Sequence, residues 1–317
     1  MAGGPTTPEL VRAARDAGAF GFLAAGYKSA DAVAAEIGSM RGPFGVNLFA
    51  PNPEPVDPAA YRAYRELLLP LAEQYRVELP AEPREDDDEW AAKVAVVAGA
   101  PLVTFTFGLP PAADLARLRR SGSLLGQTVT SAGEAHLAVE AGIDLLVVQG
   151  LDAGGHSGTF TPAEPLREVT LPVLVAEVRA AVDVPIIAGG GVGSAGDVRA
   201  ALAAGADAVA VGTLLLLADE ADTSATYRAA LSGPERGEPV LTRAYSGRPA
   251  GGLPTTFMAA FEAHAPLGYP ALHHLTTPIR RAAAAAGDPE NVNLWAGAGY
   301  RHAVAGPAGE ILRSLAG

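Results

Sequence analysis

One histidine lies in a stretch of the chain that carries almost no side chains. Residues 149–158, QGLDAGGHSG, follow the apolar run LLVV and place glycines on both sides of His156. Glycine lets a flat ligand approach the backbone, and an imidazole that titrates near neutral pH can remove or deliver a proton. A lone GGH also fits a solvent-exposed turn with an incidental histidine. The interpretation of His156 as a general base therefore depends on where the fold places this loop.

A second glycine-rich stretch, PIIAGGGVGSAGD at 185–197, has the composition of an anion site. Consecutive glycines let backbone N–H groups come close to an anion, and a helix that begins near Ser194 would add its positive end. Gly212 and Thr213 offer another bare amide and a hydroxyl. GVGSAG is not a dinucleotide fingerprint, because the acidic residue expected about 20 positions later at a strand end is missing. We predict a ligand that carries a phosphate.

Other catalytic or metal-binding patterns are absent from the sequence. The chain of 317 residues has no cysteine, which excludes disulfides and thiol catalysis. His136 falls on a predicted helix, and the pair His273 and His274 has no third ligand at metal spacing, so we predict no metal site. Asp152 could orient His156, but an exposed loop aspartate explains it as well.

An alternation of apolar strands and helices must position these motifs. Seven strands are predicted, each followed by a helical segment: FGFLA, GVNLF, LVTFT, LLGQTV, LLVVQ, PIIAG and AVAVG. Strands that are apolar on both faces indicate a parallel sheet covered by helices. The predicted fold class is α/β, a (β/α)₈ TIM-type barrel whose first strand is missing or truncated. An open doubly wound sheet is the alternative.

The alternation stops after Thr213. We predict a barrel over residues 1–213, with a helical insertion at 51–89, and a smaller, mostly helical domain over 214–299. Within that domain, LLLLADEADTSATYRAALSG at 214–233 predicts a helix. A C-terminal helix over 300–317 is predicted to return to the barrel.

The carboxyl ends of the predicted strands are polar or bare, and in parallel α/β folds ligands bind at this edge. The residues there are Asn47, Phe107, Gly108, Gln127, Thr128, Gln149, Gly150, Gly189–Gly191, Gly212 and Thr213. The glycine-rich loops follow the last two strands. In barrels, the loops at these two positions often hold a phosphate. This placement favours a functional His156 over an incidental one.

Charge and hydropathy exclude several classes of partner. The formal net charge of −12, from 23 basic and 35 acidic residues, would repel nucleic acid and anionic membranes. The longest uncharged apolar run, at 208–218, is far shorter than the roughly 20 residues that a spanning helix needs. The first residues show no signal-peptide pattern. We expect a cytoplasmic protein without membrane or nucleic-acid partners, and the oligomeric state stays open.

The sequence resembles the nitronate monooxygenase family, formerly called 2-nitropropane dioxygenases. The matching motifs run through most of the chain in order: MAGGPTTPELVRAARDAGAFGFLAAGY at 1–27, PFGVNLF at 43–49, FTFGLP at 105–110, AGGHSG at 153–158, PIIAGGG with the later GT, and LWAGAG at 294–299. The resemblance implies an FMN-dependent (β/α)₈ enzyme. Family members normally carry a strand like PIIQAP before MAGG, which agrees with the missing strand, and an N-terminally extended chain is expected to retain FMN better.

The resemblance implies roles for individual residues. His156 corresponds to the catalytic base. The residues expected to bind FMN are Met1, Ala2, Asn47, Gln127, Gln149, Gly154, Gly155, Gly190, Gly191, Gly212 and Thr213. Tyr245, Ser246 and Trp295 lie in matching C-terminal motifs and are assigned to the substrate pocket.

The implied reaction is the oxidation of alkyl nitronates, such as propionate 3-nitronate, by O₂ to a carbonyl product and nitrite, with one-electron transfer to FMN. His156 would deprotonate a neutral nitroalkane or, when protonated, hold the anion. One alternative is a flavin-dependent NAD(P)H reductase acting on an enoyl-acyl-carrier protein or a quinone. The other is a flavin- or phosphosugar-binding barrel without catalysis.

Overall fold

Two sheets carry the strands of the computed structural model, which describes residues 1–51 and 55–316. The main sheet is parallel, in the order β1-β2-β3-β4-β5-β7-β8, and the small sheet is antiparallel, in the order β6-β10-β9. Their bounds are β1 (Phe22–Ala24), β2 (Gly45–Phe49), β3 (Leu102–Thr106), β4 (Leu124–Val129), β5 (Leu145–Gln149), β6 (Gly155–His156), β7 (Ile186–Gly189), β8 (Ala208–Ala210), β9 (Val240–Thr242) and β10 (Ala250–Gly252). All seven predicted strands are present in the main sheet, and the predicted barrel-type α/β fold is confirmed.

The register of the main sheet brings the polar strand ends to one edge. Asn47 pairs with Thr104, and Phe105 pairs with Gln127 on the next strand. Gln149 pairs with Gly189, where the glycine-rich loop begins. Because all strands run the same way, these ends face one side of the sheet. β1 and β8 are the edge strands, and no strand among the described residues lies between them.

Helices cover the sheet and build the C-terminal part. They are α1 (Pro8–Asp16), α2 (Ala30–Ser39), α3 (Pro58–Tyr75), α4 (Trp90–Val96), α5 (Ala112–Arg120), α6 (Ala132–Glu140), α7 (Leu171–Ala181), α8 (Ala195–Ala203), α9 (Ala225–Ser232), α10 (Thr256–Phe261), α11 (Ala271–Ala285) and α12 (Ala308–Leu315). Six of them follow a capping residue whose hydroxyl accepts from the N–H three residues later: Thr7, Ser29, Ser131, Ser194, Ser224 and Thr255. Such a cap stabilises a helix by about 1 kcal/mol. No helix of the described residues is long and apolar enough to cross a membrane.

The helix predicted over 214–233 is wrong in its first half. A single 3₁₀ turn spans Thr213–Leu215, and α9 begins only at Ala225, after the Ser224 hydroxyl accepts from Tyr227 N. The apolar residues 214, 215 and 218 instead pack in a cluster with residues of α1 and α12. Leu214, Leu215 and Ala218 are therefore apolar because they pack against two helices, and not because they form one face of a long helix.

The predicted insertion and the C-terminal part share one hydrophobic core. Tyr61, Tyr64 and Leu68 of α3 are fully buried in a cluster with Leu272 and Leu275 of α11. At the other end of the chain, α12 packs against α1 through Ile311 and Leu10. The domain boundaries at 51–89, 214–299 and 300–317 remain a prediction, and residues 52–54 and 317 within them lie outside the described part of the chain.

Candidate active site

A cavity of about 590 Å³ opens at the carboxyl edge of the main sheet. Every residue assigned to the site from the sequence lines it, except Gln127. Those lining residues are Met1, Ala2, Asn47, Gln149, Gly154, Gly155, His156, Gly190, Gly191, Gly212, Thr213, Tyr245, Ser246 and Trp295. The fold thus collects positions from both ends of the chain around one space of the size that ligand sites have.

The loop that carries His156 is fixed by a side chain from β5. The Gln149 amide donates from Nε2 to the His156 carbonyl (3.1 Å) and accepts at Oε1 from Gly158 N (2.6 Å). On the other side, His156 pairs with Ala250 across β6 and β10. Gln149, which the resemblance assigns to flavin binding, lines the cavity, and its side chain also fixes this loop through the two hydrogen bonds. These contacts hold the His156 backbone from two directions.

The His156 imidazole lies among aromatic rings. Its ring centroid is 5.8 Å from that of Phe107 and 5.5 Å from those of Tyr269 and Trp295. Burial, together with the positive charges of Arg248 and Arg280, lowers the pKa of His156 to about 3. The ring is therefore neutral in the resting site. This favours its role as a proton acceptor over the expectation that a protonated ring holds the anion.

The backbone of residues 152–154, next to His156, is in direct contact with the backbone at Gly251 and at 296–297. An added Cβ would lie 2.6 Å from Ala296 C at Gly154, 2.4 Å from Ala153 O at Gly251, and 2.3 Å from Asp152 O at Gly297. Real Cβ atoms do not approach backbone atoms so closely, so all three positions require glycine. Gly154 of AGGH and Gly297 of LWAGAG are thus explained by this crossing, which places His156 and Trp295 beside one another.

The glycine-rich loops after β7 and β8 present unpartnered backbone amides to the cavity. None of the described residues accepts a hydrogen bond from the N–H of Gly190, Gly191 or Gly212. Gly190 and Gly191 have φ of +123° and +74°, and a Cβ would lie 2.9 Å from Gly150 O and 2.8 Å from Asp152 Cβ, respectively. Left-handed backbone and lack of space both exclude larger residues. This cradle of three amides fits a bound anion.

The start of α8 contributes less than the sequence suggested. Asp197 Oδ2 accepts from Gly193 N (3.1 Å) and from the Ser194 hydroxyl (2.8 Å). Those donors at the helix start are therefore satisfied by a carboxylate from within the protein. Thr213 Oγ1 accepts from Gly297 N (3.0 Å), which leaves its hydroxyl hydrogen for a ligand. Loop amides and this hydroxyl are thus the donors that this end of the cavity offers to an anion.

Two amide side chains at strand ends differ in their placement. Asn47 Oδ1 accepts from the hydroxyls of Thr104 (3.0 Å) and Thr106 (3.1 Å), and its Nδ2 has no acceptor among the described residues. Asn47 therefore offers a donor to the cavity. Gln127 is fully buried and does not line the cavity; its Nε2 donates to Thr128 O (3.1 Å), and its Oε1 has no partner among the described residues.

Arg280 on α11 brings a positive charge to the cavity that the sequence did not reveal. Its guanidinium donates to Thr276 Oγ1 (3.0 Å), Thr277 Oγ1 (2.7 Å), His273 O (2.9 Å) and Asn293 Oδ1 (3.1 Å). All these acceptors are neutral, and no carboxylate of the described residues lies within ion-pair distance. Burial lowers the pKa of Arg280 to about 10, so it stays charged at neutral pH. The spacing of residues 273, 276, 277 and 280, which lie on one helix face, was the available signal.

Arg248 fixes the chain on the far side of His156. It is 1% exposed, and its guanidinium lies 4.2 Å from the centroid of the Phe107 ring. It donates from Nε to Ser157 O (3.2 Å) and from Nη2 to Thr159 O. The segment SGRPAGG that contains it was not singled out in the sequence. Arg248 contributes to the neutral state of His156 through its charge.

Comparisons with known proteins agree over the whole chain. The family model described as nitronate monooxygenase matches residues 1–317. A nitronate monooxygenase of Pseudomonas aeruginosa is 36% identical over 324 residues, covering 98% of this chain and 92% of that protein, and a probable nitronate monooxygenase of Staphylococcus aureus is 32% identical, covering 98% and 90%. The crystal structure of nitroalkane oxidase from Streptomyces ansochromogenes superposes with a TM-score of 0.93 at 42% identity, covering 100% of this chain and 92% of that one. FabK from Thermotoga maritima superposes with a TM-score of 0.74 at 26% identity, covering 99% and 89%.

Proposed function

Because the chain belongs to the nitronate monooxygenase family of flavin-dependent oxidoreductases, we propose that it oxidises alkyl nitronates with O₂. The products would be a carbonyl compound and nitrite, and propionate 3-nitronate is a suitable test substrate. The observation that carries this proposal is the union, in one cavity, of a neutral imidazole and an anion cradle of unpartnered amides.

FMN is the flavin that the residues fit. The amides of Gly190, Gly191 and Gly212 and the hydroxyl of Thr213 would hold a single phosphate, as a mononucleotide requires. The bare backbone at Gly155, where an added Cβ would meet no atom within 4 Å, leaves room for a flat ring in front of His156. Asn47 would donate to the ring or the ribityl chain from its unpartnered amide nitrogen. Bound FMN would supply the acceptor for the electrons that leave the substrate.

His156 would act on the proton that a neutral nitroalkane carries on its Cα. The neutral imidazole accepts this proton, and the electron pair of the C–H bond moves onto the nitro group. A base with a low pKa is weak, but the anion formed beside it stabilises the imidazolium and so raises the proton affinity of the ring. A preformed nitronate needs no such step, because its proton has already left.

Arg280 would stabilise the negative charge of the substrate. Its guanidinium is charged, held by neutral acceptors, and lines the same cavity as His156. The aromatic rings of Phe107, Tyr269 and Trp295 keep water away from the imidazole. A charge acts more strongly where water is excluded. These features support an anionic substrate.

The proposal is tested with purified protein and propionate 3-nitronate in air. The expected result is a yellow protein with a flavin spectrum that consumes O₂ and releases nitrite. Protein that contains FMN but releases no nitrite from any alkyl nitronate would contradict the proposal.

A second candidate is a flavin-dependent NAD(P)H reductase, and the likeness to FabK favours it. The sequence identity to FabK, 26%, is lower than the 42% to nitroalkane oxidase, so the reductase activity is the second candidate. Rapid bleaching of the flavin by NADH or NADPH without O₂ would support the reductase. Unchanged flavin absorbance under those conditions would set it aside.

A further inference from the structure

We infer that Ser246 fixes the tautomer of His156 and thereby makes Nδ1 the nitrogen that accepts the substrate proton. This inference rests on the proposed function, since it concerns the same base. Ser246 acts through His156 and is therefore a positioning residue. The inference stands on the hydrogen bonds around one hydroxyl group.

The Ser246 hydroxyl touches two groups and has one hydrogen to give. Its Oγ lies 2.8 Å from His156 Nε2 and 3.3 Å from Arg248 O. A carbonyl oxygen only accepts, so both contacts are hydrogen bonds only when the hydroxyl hydrogen points to Arg248 O and Oγ accepts from an N–H at His156 Nε2. The opposite tautomer would give up the bond to Arg248 O. It would also place a hydrogen on Nδ1, for which no described residue provides an acceptor.

The backbone that carries Ser246 is held in place. Ser246 is 1% exposed and lies in a turn in which Ser246 N and Gly247 N both donate to Arg243 O (3.1 and 2.7 Å). Gly247 has φ of +76°, and a Cβ there would lie 2.9 Å from the backbone of Gly268. The neighbouring Tyr245 stacks on Phe257 with a centroid distance of 4.5 Å. The Ser246 backbone is therefore fixed next to the imidazole.

The tautomer decides whether the base works. With Nε2 engaged by Ser246, Nδ1 is the ring nitrogen left for a substrate in the cavity. A neutral nitroalkane loses its Cα proton to the Nδ1 lone pair, the C–H electrons move to the nitro group, and Nε2–H keeps its bond to Ser246. If Nδ1 carried the hydrogen instead, it could not take the proton. A preformed nitronate skips this step and should not depend on Ser246.

The first experiment compares nitroethane with ethyl nitronate in Ser246→Ala, Ser246→Thr and wild type. For Ser246→Ala we expect kcat on nitroethane to fall by about tenfold to hundredfold, a part of what a general base contributes. We expect kcat on ethyl nitronate to fall by a much smaller factor, since that substrate brings no proton to remove, so the ratio of the two kcat values should drop. Ser246→Thr keeps the hydroxyl and should restore nitroethane turnover. Ser157→Ala removes a hydroxyl from the same loop without touching the imidazole and serves as the matched control.

Equal losses on both substrates would show a merely structural role and would overturn the inference, as would unchanged nitroethane turnover. A second readout does not depend on activity. Nitrogen-15 NMR of histidine-labelled protein, with His156→Asn used to assign the signal, should show Nε2 protonated and Nδ1 bare in wild type, and a mixture in Ser246→Ala. The opposite tautomer in wild type would refute the inference. Failure of wild type to release nitrite from ethyl nitronate would instead refute the proposed function.

Discussion

The two ends of the cavity are built in different ways. At the end formed by the loops after β7 and β8, the groups that face the cavity are unpartnered backbone amides of glycine, and the φ angles of Gly190 and Gly191 fix their direction. At the other end, the chemistry belongs to the His156 side chain, whose state depends on Ser246, Arg248 and Arg280. A backbone site fails when a side chain is added, whereas a side-chain site fails when a neighbour is removed.

We expect the largest effect from His156→Asn, which should affect the His156 end of the cavity and leave the FMN-binding end unchanged. This change removes the base, so turnover of nitroethane should fall by about a hundredfold or more. Turnover of ethyl nitronate and the FMN content should change little, because neither needs a proton acceptor. Nitrite release from both substrates and the flavin spectrum provide the measurement. Full activity on nitroethane would show that another group is the base.

The reciprocal change is Gly190→Ala in the cradle. Its Cβ would lie 2.9 Å from Gly150 O at a φ of +123°, so the loop must shift and the amides must turn away from the anion. We expect FMN affinity to fall more than about tenfold, measured by the quenching of FMN fluorescence. Gly196→Ala lies nearby on α8 with only ordinary contacts and is the control. Equal FMN affinity in both variants would remove the cradle from the phosphate site.

A smaller effect is expected from Arg280→Met. Loss of the cavity charge should raise KM for propionate 3-nitronate by about tenfold, equivalent to about 1.4 kcal/mol of binding energy. Arg280→Lys keeps the charge but not the planar set of donors, and should lie between wild type and Arg280→Met. KM values that do not change in either variant would place the anion elsewhere in the cavity.

The smallest effect concerns pH. The pKa of His156 is lowered to about 3, and the base is the neutral form, which is lost only as pH falls through that pKa. Accordingly, kcat/KM for nitroethane should stay level from pH 8 down to pH 5. An ordinary histidine would lose half of its neutral form near pH 6.5. An acidic limb with its midpoint near 6.5 would contradict the buried, neutral imidazole.

The sequence predicts the cradle better than the base. Strands such as LLVVQ and PIIAG are apolar on both faces up to their carboxyl ends, which specifies a parallel sheet and therefore the edge at which GGG must lie. Glycine motifs carry their own backbone geometry, so Gly190 and Gly191 could be predicted from local sequence alone.

The surroundings of His156 are set by contacts between residues distant in sequence. Arg248 and Arg280 follow His156 by more than 90 residues and reach it only through the packing of the C-terminal part. Gln127 also could not be placed from the sequence. Its position near a strand end predicts a cavity residue, but its amide is fully buried within the sheet and away from the cavity. The prediction of a helix fails in the first half of 214–233 because Leu214 and Leu215 pack against α1 and α12, a tertiary contact without a local signal.

A crystal structure of the FMN-loaded enzyme is the most direct test of the union of these two ends in one site. We predict the phosphate within about 3 Å of the amides of Gly190, Gly191 and Gly212, and the flat ring in front of His156. A phosphate bound away from these three amides, or a ring separated from the imidazole by another part of the protein, would contradict it.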